Sequence, residues 1–249
     1  MSDLTGKTAV VTGASKGIGA GIAKRFAAAG AAVVVNYASS REGADKVVAE
    51  IVAKGGKAIA VQADVSRPAD VRRLFEQTQA AFGKIDVLVN NAGVYAFTPL
   101  EAVTDTEFHR QFDINVLGSI LVIQAALDHF GPEGGSVINI SSIASTSAVP
   151  NAVVYAATKS AVDAVTRVLA VELAGRRIRV NTIAPGMVET EGVEAAGFLG
   201  TDFQKQVVAD TPLGRMGQPD DIAGVALFLA SADSAWLTGE RITAGGGYR

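Results

Sequence analysis

Short runs of β-branched and aliphatic residues alternate along the chain with longer segments of helical periodicity. The short runs predict strands at residues 8–12, 32–36, 57–62, 85–90, 137–140, 179–184 and 240–244. The longer segments predict helices at residues 18–29, 40–54, 68–82, 152–174 and 219–230, with one or two more within 104–130. Near-continuous apolar strands that alternate with helices are typical of a parallel sheet covered on both faces. The pattern therefore predicts a single doubly wound α/β domain over residues 1–249.

Composition narrows the class of protein. The chain has 249 residues, of which 49% are hydrophobic and 19% are charged, as expected for a globular protein with a large core. Its formal net charge of −3 gives no electrostatic signature of a nucleic-acid partner. The longest apolar runs are too short to span a membrane, and the polar N-terminus has no apolar signal segment. We therefore expect a soluble protein of the cytoplasm.

The types of side chain also limit the chemistry. The chain has no cysteine, which excludes disulfides, thiolate metal sites and cysteine catalysis. His109 and His129 stand alone in the sequence without the spacing of metal ligands, so no metal site is predicted.

A glycine-rich turn follows the first predicted strand. Gly13, Gly17 and Gly19 lie within TGASKGIG at residues 12–19, where the first helix begins. Such glycines allow a tight turn and a close approach of backbone N–H groups to a pyrophosphate, and a helix N-terminus adds partial positive charge. An ordinary tight turn could contain the same residues. Its position in the first strand–helix–strand unit favours a dinucleotide site.

A second candidate site follows the fifth predicted strand. Ser142 emerges just past the end of that strand, and Tyr155 and Lys159 lie four residues apart on the next predicted helix. This spacing places the phenol and the ammonium on one face of a helix. A free tyrosine titrates near 10, and a neighbouring cation favours its phenolate, so the pair suits proton transfer to or from one oxygen. On its own, a Tyr–Lys pair with this spacing is more often an exposed surface pair.

Taken together, the motifs resemble those of the short-chain dehydrogenase/reductase family, and the resemblance covers nearly the whole chain. The family's TGxxxGxG motif matches residues 12–19, and its NNAG motif matches residues 90–93. Its helix asparagine, serine and YxxxK motif match Asn115, Ser142, Tyr155 and Lys159, and its NxxxPG element matches residues 181–186. The resemblance implies a Rossmann fold with a seven-stranded parallel sheet that binds a nicotinamide dinucleotide at its C-terminal edge.

The resemblance also implies residue roles. Tyr155 is expected to act as general acid and base, Ser142 to polarise the substrate oxygen, and Asn115 to anchor a water chain. Lys159 is expected to lower the pKa of Tyr155 and to bind the nicotinamide ribose. Asp64 is expected to contact adenine, although it could equally cap the following helix. The implied cofactor-binding residues are Gly13, Ser15, Lys16, Gly17, Ile18, Gly19, Asn36, Tyr37, Ser39, Asp64, Val65, Asn91, Ala92, Gly93, Tyr155, Lys159, Pro185, Gly186, Val188 and Thr190.

The end of the second predicted strand bears on the choice of dinucleotide. An acidic residue there would bind the 2′-hydroxyl of NAD(H), but the chain has no acid until Glu42. Lys16 lies within the glycine turn, and Ser39, Ser40 and Arg41 could add contacts to a 2′-phosphate. Lys16 could also be a solvated loop residue, and Ser40 a helix cap. The sequence predicts NADP(H) in preference to NAD(H).

The substrate is less well specified. Residues 187–211 correspond to a segment that forms a mobile lid in the family, and the residues around the catalytic trio suggest an apolar pocket. A general ketone reductase, for example of a sugar or polyol, is the favoured interpretation, and a 3-oxoacyl-[acyl-carrier-protein] reductase is the alternative. The second needs basic residues for an acidic carrier, which Arg176, Arg177 and Arg179 could supply, whereas residues 127–135 contain no lysine or arginine.

Two further expectations concern partners. Because both Tyr155 and Lys159 are present, a dinucleotide-binding regulator without activity is not favoured. The resemblance implies a homotetramer, since relatives usually assemble through their long helices and C-terminal segments.

Overall fold

The predicted strands form one parallel sheet in the structure. The computed structural model describes residues 3–195 and 197–248. Within these ranges the sheet has seven strands in the order β3-β2-β1-β4-β5-β6-β7, and each pairs in parallel with its neighbours. The strands are β1 (Thr8–Val11), β2 (Ala32–Tyr37), β3 (Lys57–Gln62), β4 (Val87–Asn90), β5 (Gly135–Ile140), β6 (Ile178–Pro185) and β7 (Arg241–Ala244). The predicted doubly wound seven-stranded Rossmann fold is confirmed.

Nine α-helices lie within the described ranges. They are α1 (Gly17–Ala28), α2 (Arg41–Ala53), α3 (Pro68–Phe82), α4 (Asp105–Phe112), α5 (Gly118–Ala126), α6 (Val153–Glu172), α7 (Glu191–Ala195), α8 (Asp202–Asp210) and α9 (Pro219–Ala230). Apolar side chains of α1, α2 and α9 pack on one face of the sheet, and those of α3, α5 and α6 pack on the other. Side chains alternate between faces along a strand, so Val10 and Val11 enter opposite cores. None of these helices combines the length and the apolar character that a membrane span requires.

Two segments differ in detail from the sequence prediction. Residues 104–130 contain α4 and α5 joined by a π-helical turn, Asp113–Leu117, so the helical segment is continuous but locally wider. The segment 187–211, which the sequence suggests is a lid, carries α7 and α8. Side-chain oxygens of Thr104 and Thr201 cap the N-termini of α4 and α8 by accepting backbone N–H groups.

The strand order determines where a ligand can bind. From β1 the chain proceeds to β2 and β3 on one side of the sheet, whereas β4 lies on the other side of β1. The two crossovers therefore separate at the C-terminal ends of β1 and β4 and leave a crevice there. The glycine turn follows β1 and the NNAG motif follows β4, so the fold brings these motifs to one crevice.

Candidate active site

Thr12 and Asn91 join the glycine turn to the loop after β4. The Thr12 hydroxyl accepts hydrogen bonds from the backbone nitrogens of Asn91 and Ala92, both at 3.0 Å. The Asn91 amide donates to the backbone oxygens of Thr12 and Gly13 at 2.9 and 3.0 Å. A Cβ added to Gly13 would lie 2.8 Å from the Cα of Ala92, so this contact requires glycine. The two motifs therefore form one rigid wall of the crevice.

Asn36 supports the glycine turn from behind. Its side-chain oxygen accepts the backbone N–H of Gly13 at 3.1 Å, and its amide donates to the backbone oxygens of Val61 and Ala63. The side chain is buried, with 1% of its surface exposed. The resemblance implies that Asn36 binds the cofactor, but here its side chain holds the backbone of Gly13 in place.

The first turn of α1 binds the carboxylate of a residue in the segment 187–211. The backbone nitrogen of Gly17, which has φ +57°, donates to Oε2 of Glu191 at 2.9 Å. A Cβ on Gly17 would lie 3.2 Å from the methyl carbon of Thr190. A helix N-terminus favours an anion, and a carboxylate presents the same kind of acceptor as a phosphate. Sequence reasoning gave Glu191 no role.

The residues expected near adenosine lie at the outer side of the crevice. Asp64 accepts hydrogen bonds from the backbone nitrogen and hydroxyl of Ser66 at 3.0 and 2.7 Å. The alternative that Asp64 caps the next helix is wrong, because α3 begins at Pro68 and Arg67 is its N-cap residue. Asp64 instead stabilises the turn before the helix.

The surface expected to meet a 2′-phosphate lies beside the glycine turn. Lys16 and Ser39 are exposed, and Tyr37 is buried below them. A Cβ on Gly43 would lie 2.7 Å from the backbone oxygen of Ser15, so the start of α2 touches the glycine turn. Ser40 is the N-cap residue of α2, but its side chain makes no capping hydrogen bond.

Ser142, Tyr155 and Lys159 meet at the C-terminal end of β5. Ser142 and Tyr155 line the same cavity, and the Ser142 side chain lies close enough to the Tyr155 phenol to lower its pKa. The Lys159 ammonium lies 5.6 Å from the centroid of the Tyr155 ring and donates to the backbone oxygen of Ile140 at 2.9 Å. Lys159 is buried, with 6% of its surface exposed. The fold thus assembles the predicted trio around one point at the bottom of the crevice.

Burial dominates the acid–base properties of the trio. It raises the pKa of Tyr155 to about 12, while the neighbouring Ser142 side chain lowers this pKa by a smaller amount. It lowers the pKa of Lys159 to about 8, against the negative charge of Asp163. The resemblance implies a lowered pKa for Tyr155, and the structure differs because removing the phenolate from water outweighs the favourable contacts. At neutral pH Tyr155 is therefore a protonated phenol.

Asn115 lies in the π-helical turn and links the loop after β4 to α6. Its side-chain oxygen accepts the backbone N–H of Val94 at 2.8 Å, and its amide donates to the Val94 oxygen at 2.8 Å and to the Thr158 hydroxyl at 3.1 Å. π-Helical turns occur often at functional sites because they displace the backbone locally. Here the turn aims Asn115 at the chain segment that borders the catalytic trio.

Arg241 and Asp163 support the trio from the side opposite the crevice. Arg241 donates from Nε to Oδ2 of Asp163 at 3.0 Å and to the Ser145 hydroxyl at 3.2 Å. Its Nη2 donates to the backbone oxygen of Ser142 at 3.2 Å and to the Thr146 hydroxyl at 3.1 Å. The guanidinium therefore joins β7, α6 and the loop that carries Ser142. Sequence reasoning missed both residues, since neither belongs to a recognised motif.

A cavity of about 330 Å³ opens above the trio. The described residues that line it include the three catalytic side chains, residues of the cofactor-binding set and apolar side chains of the segment 187–211. The sequence predicts an apolar pocket from seven residues around the trio, and six of them line this cavity: Val94, Tyr95, Phe97, Ala144, Val149 and Phe198. The seventh, Val153, is not among the lining residues. The catalytic trio therefore shares one cavity, with an apolar wall, with part of the implied cofactor-binding set.

The arginines proposed to meet an acidic carrier lie elsewhere. Arg176 and Arg177 precede β6, and Arg179 is its second residue, whereas the cavity lies beyond the other end of that strand. Arg177 and Arg179 line a separate hollow of about 640 Å³ with Trp236. The suggestion that these arginines border the active-site mouth is therefore wrong, because parallel strands place their first residues at the opposite edge of the sheet.

The residues present fit a nicotinamide dinucleotide. Glycines 13 and 19 create a cradle that side chains would fill, since a Cβ on Gly19 would lie 2.4 Å from Nδ2 of Asn91. The Gly17 N–H already donates to an anionic partner, the carboxylate of Glu191. At the other end, a Cβ on Gly93 would lie 3.3 Å from Oδ1 of Asn115 and 3.5 Å from the Lys159 ammonium, so the backbone of this loop passes close to the trio.

Comparison with known proteins gives consistent findings. A family model described as "Enoyl-(Acyl carrier protein) reductase" matches residues 13–249. An uncharacterized oxidoreductase of Methylorubrum extorquens is 59% identical over 249 residues, which is 100% of both chains. A 3β-hydroxysteroid dehydrogenase of Eggerthella lenta is 41% identical over 247 residues, covering 98% of this chain and 94% of that protein.

Solved structures are also similar to this chain over nearly its whole length. A short-chain dehydrogenase/reductase from Serratia marcescens superposes with a TM-score of 0.93 at 35% identity and covers 98% of each chain. An angucycline C-6 ketoreductase with bound NADP superposes with a TM-score of 0.93 at 38% identity, covering 99% of this chain and 97% of that one. The similarity therefore extends over the whole cradle, trio and cavity.

Proposed function

The chain belongs to the short-chain dehydrogenase/reductase family of oxidoreductases, and we propose that it interconverts a ketone and a secondary alcohol with NADP(H). The observation that carries this proposal is that the side chains of Ser142, Tyr155 and Lys159 line one cavity together with Ile18 of the glycine turn. One oxygen atom of a substrate in this cavity can bind both hydroxyl groups. The relatives named as a ketoreductase and as a hydroxysteroid dehydrogenase support the same reaction class.

In the reducing direction, Ser142 and Tyr155 donate hydrogen bonds to the carbonyl oxygen. A nicotinamide held beside Lys159 would supply the hydride that the carbonyl carbon accepts. The Tyr155 proton then passes to the oxygen as the alcohol forms. A pKa of about 12 keeps Tyr155 protonated at neutral pH and suits the donor role. Lys159 stabilises the phenolate that remains until a proton returns.

The neighbouring residues act on this pair by position. Asn115 holds the loop after β4 beside α6, and in this proposal it also anchors a water chain that returns the proton. Gly93 brings the backbone of that loop close to Lys159, the residue proposed to bind the nicotinamide ribose. Closure of residues 187–211 as a lid would exclude bulk water from the reacting oxygen.

NADP(H) is the proposed cofactor. The second strand ends in Asn36 and Tyr37 rather than in an acid, and Lys16 is exposed at the start of α1. A bound 2′-phosphate needs positive charge and meets no carboxylate at this position. The bound NADP in the angucycline ketoreductase structure supports the same choice.

A second candidate is a 3-oxoacyl-[acyl-carrier-protein] reductase. The description of the family model, which names an acyl carrier protein, favours it. Two observations weigh against it: the arginines 176, 177 and 179 lie away from the cavity, and Lys159 is the one formally charged residue among the described residues that line it. A carrier protein would need cations at the cavity mouth to hold its acidic surface.

Oxidation of NADPH tests the two functions side by side. The substrates are a short 3-oxoacyl thioester and a simple ketone, followed by absorbance of the reduced nicotinamide. Turnover of the ketone with little turnover of the thioester supports the general reductase. Turnover of the thioester with little turnover of the ketone favours the 3-oxoacyl-[acyl-carrier-protein] reductase. Absence of turnover with every ketone and thioester in both directions would leave only a dinucleotide-binding regulator.

We also propose a homotetramer. Apolar side chains are exposed on the outer surfaces of α5 and α6, where Ile120 is 40%, Val168 is 55% and Val171 is 79% exposed. Trp236, in the segment between α9 and β7, is 99% exposed. Large apolar side chains with this exposure suit burial against further copies of the chain. Light scattering after gel filtration measures the mass, and a monomer at micromolar concentration would contradict the proposal.

A further inference from the structure

Five aromatic rings run from the catalytic tyrosine to the segment that covers the cavity. The Tyr155 ring meets those of Tyr95 and Phe97 edge to face, with centroids 6.1 and 6.3 Å away. Phe97 contacts Phe198 at 5.8 Å with an interplanar angle of 83°, and Phe198 contacts Phe203 at 5.3 Å. All five rings line the cavity, although only 6% of the chain is aromatic. The rings are therefore concentrated where a substrate would bind.

Three of these rings are poorly covered by the protein. Tyr95 is 37%, Phe97 is 41% and Phe203 is 48% exposed. Large apolar side chains in this state gain stability when a ligand removes them from water, by roughly 25 cal/mol for each Å² that is buried. The cavity wall is thus incomplete without an apolar occupant.

The charge around the cavity excludes one large group of occupants. Among the described lining residues Lys159 alone is formally charged, and it is buried and already donates to the Ile140 oxygen. A carboxylate or phosphate on the substrate would lose its water without gaining a charged partner, which is costly. The occupant is therefore neutral beyond its reacting oxygen.

The arrangement of the rings distinguishes a flat substrate from a flexible one. Interplanar angles of 70°, 61° and 83° around Tyr155 and Phe97 leave ring edges and faces turned toward the cavity. An aryl group can meet them in edge-to-face contacts worth about 0.5–1.5 kcal/mol beyond the buried area. A flexible acyl chain gains only the area and loses rotational freedom on binding.

We infer that the substrate is an aryl ketone, or the corresponding alcohol, whose carbonyl binds Ser142 and Tyr155 and whose ring packs against the contacting pair Phe97 and Phe198. This inference rests on the proposed function. Phe97 belongs to the loop after β4 and Phe198 to the segment 187–211, so an aryl group packed against both rings also holds the segment over the reacting carbonyl. Phe97 and Phe198 are thus the specificity-determining residues.

Acetophenone and cyclohexyl methyl ketone provide the test, because they have similar size and differ in aromaticity. The kcat/KM ratio of the two ketones is measured with NADPH for the natural protein and for Phe97→Leu and Phe198→Leu, which keep an apolar side chain but remove a ring. Each substitution should lower the aryl-to-cyclohexyl ratio by about five- to tenfold, mainly through the KM of acetophenone. Comparing ratios between variants cancels the intrinsic difference in reactivity of the two ketones.

Phe108→Leu is the matched control. Phe108 is 40% exposed and stacks on Phe112 at 4.3 Å in α4, away from the cavity. Its substitution should leave the ratio unchanged. An unchanged ratio in both Phe97→Leu and Phe198→Leu, or an equal loss in Phe108→Leu, overturns the aryl assignment while ketone reduction stands. Absence of turnover with both ketones, beside efficient turnover of a 3-oxoacyl thioester, overturns the aryl assignment together with the general-ketone proposal.

Discussion

The carboxylate of Glu191 lies 2.9 Å from the backbone nitrogen of Gly17, at the N-terminus of α1. The two residues are 174 positions apart in the chain. Gly17 belongs to the turn that is expected to hold the cofactor's pyrophosphate, and Glu191 begins the first helix of the segment 187–211. A cofactor phosphate and the Glu191 carboxylate thus compete for the same hydrogen-bond donor, the Gly17 N–H. Binding of the phosphate should therefore displace Glu191 and release the segment 187–211 from α1.

Removal of this carboxylate should strengthen cofactor binding. In Glu191→Gln the side chain loses its charge, so it competes less well with phosphate for the Gly17 N–H and no longer repels it. We expect the Kd for NADPH to fall by about three- to tenfold, in line with a hydrogen bond to a charged group. Fluorescence titration of NADPH in the absence of substrate measures this directly.

Glu194→Gln is the control for Glu191→Gln. Glu194 is an exposed residue of the same helix and also carries one negative charge. An equal gain in affinity in both variants would mean that general charge, rather than the Gly17 contact, weakens NADPH binding. An unchanged Kd in Glu191→Gln would mean that the contact does not compete.

Loss of the Tyr155 hydroxyl should remove turnover and spare cofactor binding. Tyr155→Phe keeps the ring and its contacts with Tyr95 and Phe97 but has no proton to give. General acid catalysis contributes about 10²- to 10⁴-fold, so kcat should fall by at least that range. The Kd for NADPH should change by less than about twofold. Near-natural turnover in this variant would show that another group donates the proton.

Burial of Lys159 predicts that the free energy of unfolding increases as the pH rises from about 8 towards 10. Its pKa is lowered from 10.5 to about 8, so between these values the unfolded chain binds more protons and the free energy of unfolding rises with pH. The rise amounts to about 3 kcal/mol at most. Tyr155, whose pKa is raised from 10.0 to about 12, reverses the slope above pH 10, because there the folded protein binds more protons. Urea unfolding at a series of pH values measures both limbs.

Substitution of Lys159 identifies the source of that rise. Lys159→Met should flatten the free energy of unfolding between pH 8 and 10 and should leave the decline above pH 10. Lys205→Met serves as control, since Lys205 is exposed and pairs with Asp202 at the surface. A rise that persists in Lys159→Met would assign it to a different group.

The sequence predicted the strands and the positions of the trio because both depend on local patterns. Valine and isoleucine runs give buried strands, and in a parallel sheet every strand end falls at a known edge. The contacts between Gly17 and Glu191 and between Asp163 and Arg241 join residues 174 and 78 positions apart. They depend on how loops close over the sheet, and no spacing rule reports that. The position of Arg179, by contrast, follows from the predicted strand 179–184, because the first residue of a parallel strand lies at the edge of the sheet opposite the active-site mouth.

The Arg241–Asp163 pair should matter for both stability and turnover. Asp163 has 6% of its side chain exposed, so Arg241→Met would leave a buried carboxylate without its cation, at a cost of about 3 kcal/mol. It would also release the Ser142 backbone oxygen, so kcat should fall more than KM changes. Urea unfolding and steady-state kinetics measure the two effects.

A double variant separates lost charge pairing from general damage. Arg241→Met combined with Asp163→Asn removes both charges, so it should be more stable than Arg241→Met alone by about 1 kcal/mol or more. Turnover should stay low in the double variant because Ser142 still lacks its support. Equal stability of the single and double variants would show that the buried carboxylate is not what destabilises Arg241→Met.

Lys16 and Arg41 should determine the choice between NADPH and NADH. Both are exposed beside the end of β2, and Arg41 is only loosely paired with Asp45 at 3.5 Å. Lys16→Ala and Arg41→Ala should each lower kcat/KM for NADPH by about tenfold, since a charge-assisted contact to phosphate is lost. The value for NADH, which has no 2′-phosphate, should change little. Lys24→Ala, at a surface pair with Glu50, controls for net charge. Comparable kcat/KM for NADPH and NADH in the natural protein would contradict the preference itself, whereas equal losses with both cofactors would move these residues away from the 2′-phosphate.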